Sequence, residues 1–362
     1  MPGACVFGLL CTMRERPVLV LIHGFPQDHT LWNDQLTALG AAAEVLAPDL
    51  CGFGTVEELP PVMTMERYAE QIRSCLDEQG MERAVLCGLS MGGYVAMAFA
   101  ERWPARVAGL ILSNTRASAD TAEGKQARQA TAERALTQGP AVIARGMLPA
   151  LLSARTRSER PDIVQRVERM MASRPANAVA AASLGMAERP DRLHVLRALD
   201  VPALIITGSE DTLMPLPTSE AMHHALRGSR LEVIPHTAHL PNIEAPDRFN
   251  ALVLAFLSGL VANNVRAPLT SIIEATSAIA DGRLRVRANL SREDEFGILG
   301  RHFDQMARGL EERELIRATF GRYVSEEVAR RVLASDDAAR LGGEEREVTI
   351  LFTDIRSYST IA

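Results

Sequence analysis

Ala84-Val85-Leu86-Cys87-Gly88-Leu89-Ser90-Met91-Gly92-Gly93-Tyr94-Val95-Ala96-Met97-Ala98 decides how this chain is read. A short apolar run suited to a buried strand leads into Gly88-Leu89-Ser90-Met91-Gly92, and a small-residue stretch suited to a helix follows. Strand, G-x-S-x-G, helix is the context of a nucleophile elbow. The turn is so tight that its serine must take a strained backbone conformation, which the flanking glycines permit. The hydroxyl then stands clear of the sheet, at the positive end of the following helix.

A nucleophilic serine needs a base and an acid, sought here in the chain order Ser, acid, His. The apolar strand Ala203-Leu204-Ile205-Ile206-Thr207 runs into Gly208-Ser209-Glu210-Asp211. A carboxylate just past a strand end is held by the sheet and can fix an imidazole tautomer. Asp211 is the expected acid, with Glu210 a solvated loop charge. After the next strand come His236-Thr237-Ala238-His239-Leu240-Pro241. No cluster of Cys or carboxylate ligands accompanies the two histidines, which argues against a metal site. One should be the general base and the other a loop residue; spacing alone does not choose between them.

From about Val18 to Leu260 the chain resembles the α/β-hydrolase fold superfamily, in its small esterase, lactonase and haloperoxidase-like branch. His23-Gly24-Phe25-Pro26 matches the H-G-x-P oxyanion loop, and Asp49-Leu50-Cys51-Gly52-Phe53-Gly54 matches the D-x-x-G-x-G turn. Ala238-His239 followed by Glu244-Ala245-Pro246 matches the segment of the catalytic histidine. The resemblance implies Ser90 as nucleophile, His239 as base and Asp211 as its orienting acid. It also implies an oxyanion hole from the Phe25 and Met91 N–H groups, with His23 shaping the loop and no cofactor. The family usually places a fuller antiparallel hairpin before the His-Gly strand; only a short leader stands here.

The 362 residues allow two or three domains, and 47% hydrophobic content is ample for a core. A net charge of −6 argues against a nucleic-acid partner. Lys125 is the only lysine, but the arginines are balanced locally: residues 281–331 hold eleven Arg against ten Asp or Glu, a mixed-charge helical surface. Cys5, Cys11, Cys51, Cys75 and Cys87 lack zinc spacing and are odd in number, which fits a reducing, cytoplasmic setting. The apolar leader, residues 1–11, has no basic n-region or small-x-small cleavage site and reads as a remnant strand. The apolar run at 251–262 is shorter than the ~20 residues a spanning helix needs. It is expected as the last helix on the sheet, with no membrane span in the chain.

Strand-like runs recur at residues 18–23, 45–47, 84–87, 108–112, 203–207 and 231–234, separated by helical stretches. That is the pattern of a buried parallel sheet. Residues 117–192 break the rhythm with an Ala-, Arg- and Met-rich stretch free of strand signals, read as a helical cap over the active site. Met147, Met170, Met171 and Met186 fit gap-filling between cap helices, or the lining of an acyl pocket.

Past Ala262 the period changes. Val265, Leu269, Ile272, Thr276 and Ile279 form one seam, and Phe296, Leu299, Phe303, Met306 and Leu310 another, both repeating every 3.5 residues. Two helices with one narrow stripe each cannot close a core alone, so a homodimeric four-helix bundle is expected. With Pro268 in the first helix and Asp294-Glu295-Phe296-Gly297 opening the second, this stretch resembles a HAMP linker. Phe320-Gly321-Arg322-Tyr323-Val324-Ser325 and Gly342-Gly343-Glu344-Glu345-Arg346-Glu347-Val348-Thr349-Ile350-Leu351-Phe352-Thr353-Asp354-Ile355-Arg356 resemble the entry to a class III adenylyl/guanylyl cyclase domain. The resemblance implies a strand at 348–352 delivering Asp354, with the Ile355 carbonyl, to a Mg²⁺ site. The other residues of that site do not occur before Ala362.

The expected fold is α/β: an α/β-hydrolase sheet with helical cap over residues 1–262, an all-α HAMP coiled-coil linker over 263–318, and an incomplete α+β cyclase start over 319–362. The expected function is hydrolysis of a small ester or lactone through an acyl-serine. The alternative is a cyclase signalling protein whose hydrolase fold senses a ligand.

Overall fold

A computed structural model describes residues 16–54, 59–292 and 294–323, with 347 and 349–351; the side chains of 263–264 and 320–323 fall outside that description. Two compact units divide the chain, residues 1–267 and 268–362.

The first unit is built on six parallel strands: β1 Val18–Ile22, β2 Glu44–Leu46, β3 Ala84–Leu89, β4 Val107–Ser113, β5 Ala203–Gly208 and β6 Arg230–Ile234, in the order β2-β1-β3-β4-β5-β6. All six strands expected from the apolar runs are present. Their continuous hydrophobicity follows from burial on both faces, because alternate residues feed separate cores. Val18, Val20, Ile22, Leu86 and Leu110 face one; Leu19, Leu21, Val85, Cys87 and Ile111 face the other. Helices α1 (Asn33–Leu39) and α12 (Pro246–Ala280) lend side chains to the second core, α2 (Met65–Glu78) and α3 (Met91–Arg102) to the first. The chain leaves β1 toward β2, then returns to β3 on β1's other side. That reversal opens a crevice at the carboxyl ends of β1 and β3, where open α/β sheets bind ligands.

The stretch 117–192 between β4 and β5 holds five helices: α4 Ala122–Gln138, α5 Pro140–Leu151, α6 Ala154–Glu159, α7 Pro161–Ala172 and α8 Ala176–Glu188. They are the cap expected over 117–192. Met170, Met171 and Met186 are buried in the two cores and Met147 packs against both, so these methionines fill gaps between helices. The remaining first-unit helices are α9 Leu193–Ala198, α10 Leu216–Ala225 and α11 Pro241–Glu244.

One sequence expectation is corrected here. The last helix on the sheet, expected over the apolar run at 251–262, spans Pro246–Ala280, a 35-residue helix long and apolar enough by length and composition to cross a membrane. The apolar run at 251–262 was therefore not a fair measure of its length. No Gly or Pro stop signal follows Leu260 until Pro268, and the helix runs on through that proline. Within the first unit, Phe249, Leu252, Val253, Phe256 and Leu257 of this helix are buried.

The seam residues divide between the second unit's own core and its surface. In the second unit α13 (Glu295–Tyr323) packs through Phe303 and Ala307 on Ala275 and Ala288, with Ile272, Ile279, Val286 and Leu290 at the margin. Leu269, Leu299 and Met306, assigned to the seams, are exposed, as is Val265 at the end of the first unit. Seam residues Ile272, Ile279 and Phe303 thus pack within the chain, beside the small residues Ala275 and Ala307. Ahead of α13, Asp294 caps the helix by accepting from the Gly297 N–H at 3.1 Å. A Cβ on Gly297 would lie 1.8 Å from the Arg292 carbonyl oxygen, so the glycine of the Asp-Glu-Phe-Gly signature is a close-approach residue. Asp304 accepts from the Ala288 N–H at 2.7 Å and so ties the connector to α13.

Residues 349–351 form no strand, and Ile350 and Leu351 are exposed; an apolar run pairs only where another strand is offered. The remainder of the cyclase-like segment, Asp354 and Ile355 included, and the leader at 1–15 lie outside the described residues.

Candidate active site

Ser90 sits between β3 and α3 with φ 55° and ψ −113°, the strained turn expected of the elbow. Its N–H donates to the Ser113 carbonyl at 2.9 Å, and its own carbonyl accepts from the Thr115 hydroxyl at 2.7 Å. These contacts with the end of β4 hold a conformation that the chain would not adopt unaided. Close packing explains the glycines. A Cβ on Gly88 would lie 2.3 Å from the Gly92 carbonyl oxygen, and one on Gly92 would lie 2.1 Å from that of Ile22.

The Ser90 hydroxyl donates to His239 Nε2 at 2.8 Å, and His239 Nδ1–H donates to Asp211 Oδ2 at 2.8 Å. The two side chains behind the serine are almost wholly buried. Asp211 is well supplied with donors: the Leu213 and Met214 N–H groups bind Oδ1, and the Asn114 amide binds Oδ2 at 2.7 Å. Burial pushes its carboxyl up, but the His239 imidazole and these donors outweigh that and hold it below the usual carboxylate range. Glu210 and His236 are exposed and lie 3.8 Å from each other, away from this chain of hydrogen bonds.

Met91 opens α3, so its N–H has no acceptor within the helix. Phe25 follows β1 in the His-Gly-Phe-Pro loop, whose Phe25–Pro26 bond is cis. The Gly24 carbonyl belongs to the same peptide as the Phe25 N–H, and it accepts from His23 Nδ1–H at 2.8 Å and from the Gln27 N–H at 3.1 Å. The other ring nitrogen of His23, Nε2, accepts from the Leu50 N–H at 3.0 Å. Burial pushes the His23 imidazole below its ordinary value, in keeping with a neutral ring that donates at one end and accepts at the other.

Two further side chains support the site: Asn114, which the sequence reading missed, and Glu244, which it placed in the histidine segment without a role. Asn114, at φ 46° just past β4, bridges Asp211 and the Ala238 carbonyl. Glu244 accepts from the Ala238 N–H at 2.7 Å and the Ser153 N–H at 2.9 Å, bracketing the histidine loop from the cap. A non-glycine residue suited to the left-handed region directly after a strand was the one legible sign of Asn114. Among the described residues no three His, Cys, Asp or Glu side chains meet in a way that could hold a metal ion.

A sequence model of the alpha/beta hydrolase fold matches residues 17–246, well over half of the chain. The chain belongs to the α/β-hydrolase fold family. A HAMP domain model matches residues 260–312 of this hydrolase, which carries the helical region described above. Among curated proteins, 3-oxoadipate enol-lactonase 1 of Acinetobacter baylyi is 28% identical, over 68% of this chain and 91% of that protein. A pimeloyl-[acyl-carrier protein] methyl ester esterase of Neisseria meningitidis serogroup C is 30% identical, over 66% and 93%. Among solved structures, a thermophilic esterase from Thermogutta terrifontis is 41% identical with a TM-score of 0.66, over 67% of this hydrolase and 90% of the esterase. The enol-lactonase of Burkholderia xenovorans is 27% identical with a TM-score of 0.63, over 67% and 92%.

Proposed function

We propose that the α/β-hydrolase unit cleaves a small carboxylic ester or lactone through an acyl-serine intermediate, with Ser90 as nucleophile, His239 as general base and Asp211 as the orienting acid. The observation that carries this reading is the unbroken relay from Ser90 Oγ through His239 to Asp211, two hydrogen bonds of 2.8 Å on an elbow serine. Ser90 Oγ attacks the acyl carbon while His239 Nε2 takes its proton. The oxyanion is received by the Phe25 and Met91 N–H groups, held ready before the charge develops. His239 then gives the proton to the departing alkoxide, and the same nitrogen draws a proton from the water that frees the acid. Asp211 keeps the proton on Nδ1 throughout, so that Nε2 is the basic nitrogen. The relatives named as esterases and enol-lactonases support this bond type, since both cleave an acyl–oxygen bond.

The test is turnover of short p-nitrophenyl esters by the full chain and by Ser90→Ala and His239→Ala. Both variants should lose several orders of magnitude in kcat, and His236→Ala should keep most activity. Wild-type rates in Ser90→Ala would end the elbow reading; a dead His236→Ala would reassign the base.

The HAMP match supports a second reading, in which the hydrolase fold senses a ligand and the helical region serves a dimeric signalling protein; the cyclase output of that reading rests on the motif resemblance of residues 320–356 alone. The outward-facing Leu269, Leu299 and Met306 favour a dimer, since they are the seam residues that the single chain leaves uncovered. Ligand binding that altered cyclic nucleotide formation in a longer gene product, without ester turnover, would select this reading over the first.

A further inference from the structure

We propose that Arg174, in the turn between α7 and α8, is a positioning residue for the oxyanion loop, so that seating the cap sets the direction of the Phe25 N–H. The inference rests on the hydrolase reading above. Arg174 Nη1 lies 2.9 Å from Asp28 Oδ2 and also donates to the Phe53 carbonyl, while Nη2 donates to the Ser173 hydroxyl at 2.8 Å. Both members of the ion pair are largely buried, their side chains 15% and 9% exposed. One guanidinium thus joins the cap to two separate loops at the carboxyl edge of the sheet.

Each of those loops is a support of the Gly24–Phe25 peptide. Asp28 stands at the far end of the turn closed by the Gln27 N–H to Gly24 carbonyl bond. Its second oxygen, Oδ1, accepts from the Thr30 N–H at 3.0 Å and so caps the short 3₁₀ helix His29–Trp32. Phe53 packs edge-on against the His23 ring, with centroids 5.4 Å apart at 72°, and His23 donates to the Gly24 carbonyl. The carbonyl that points the Phe25 N–H is therefore held from two sides, and Arg174 braces both. Nη1 carries two hydrogens and meets both the carboxylate and the carbonyl, while Nη2 anchors the rigid plane to Ser173; an ammonium in its place is a single point charge on a flexible stem.

Oxyanion donors act mainly in the transition state, so disturbing them lowers kcat more than it raises KM. Arg174→Ala in the full chain should lose roughly 10- to 100-fold in kcat on p-nitrophenyl acetate, with KM within about threefold of wild type. The inhibition constant of a trifluoromethyl ketone, which forms the tetrahedral adduct on the serine, should rise by a similar factor. Arg174→Lys should fall between, and Asp28→Asn should act in the same direction. Asp28→Asn combined with Arg174→Ala should be little worse than Arg174→Ala alone, because the two remove one interaction. A variant with unchanged kcat and inhibitor affinity but a lower melting temperature would overturn the proposal, leaving Arg174 a structural tie. Should Arg174→Ala fail to fold, Asp28→Asn decides by the same measurements. Absence of wild-type ester turnover would instead defeat the hydrolase reading. The brace is then read by amide exchange over residues 24–31, expected to be faster in Arg174→Ala, with equal rates overturning it.

Discussion

Replacing Gly92 with alanine would place a methyl group 2.1 Å from the Ile22 carbonyl oxygen and 2.8 Å from that of His23. An ordinary contact between carbon and a carbonyl oxygen is about 3.3 Å, so the start of α3 and the end of β1 must part by about 1 Å. Neither side yields cheaply. The obstructing atoms are backbone of β1, an inner strand paired on both edges, and the elbow is fixed by its bonds to Ser113 and Thr115. A shift of that size would stretch the 2.8 Å bond from Ser90 to His239 beyond hydrogen-bond range. It would also widen the gap between the Met91 and Phe25 N–H groups, which flank the same crevice. A misplacement of about 1 Å costs on the order of 100-fold in rate, and the overpacking costs about 1–3 kcal/mol of stability. The assay is steady-state hydrolysis of p-nitrophenyl acetate together with denaturant unfolding. Gly146→Ala is the control: nothing lies within 4 Å of its Cβ position, on the exposed face of α5, so it should keep full activity and gain about 0.5–1 kcal/mol. Gly92→Ala with a rate within threefold of wild type and an unchanged unfolding midpoint would refute the close-packing account of the elbow.

Asn114→Leu should lower kcat by about tenfold through a less well-held Asp211, and should raise the pKa of that carboxyl, read by NMR titration, since one of its donors is gone. In the cap, burial pushes Asp120 up but Arg189, Arg128 and Arg116 together bring it down to about 2. Its stabilisation is thus complete above about pH 4 and is lost as pH falls toward 2. Asp120→Asn should cost about 2 kcal/mol at pH 7 and flatten that part of the stability profile, measured by urea unfolding. Light scattering should find the full chain dimeric and a chain ending at residue 262 monomeric with ester turnover intact; a monomeric full chain would count against the seam argument.

What the sequence made legible was whatever is local. The six strands announced themselves as apolar runs, and Ser90, Asp211 and His239 each follow a strand or a quoted motif. The supports were not legible because their partners are remote. Asn114 meets Asp211 across 97 positions, and Arg174 meets Phe53 across 121. No periodicity or composition marks such a pair. The true length of Pro246–Ala280 was obscured for another reason: the helix persists while its apolar run ends, so hydropathy and helicity part company near residue 262. The seams were legible as a period, but period alone does not say which of their residues pack within one chain: Ile272, Ile279 and Phe303 do, while Leu269, Leu299 and Met306 are exposed.

His23 shows what kind of side chain the loop can accept. The ring gives a proton at one edge and receives one at the other, with a rigid aromatic spacer fixing the interval between Gly24 and Leu50. Asparagine and glutamine also carry a donor and an acceptor, but both sit on the same terminal amide and swing together on a flexible stem. Tyrosine reaches farther yet has only one polar atom. The histidine therefore works as a gauge block between two loops, and its value lies in length and polarity rather than in basicity. A loop built around such a gauge can be re-lengthened by evolution or design only by moving β1 and the Leu50 turn together.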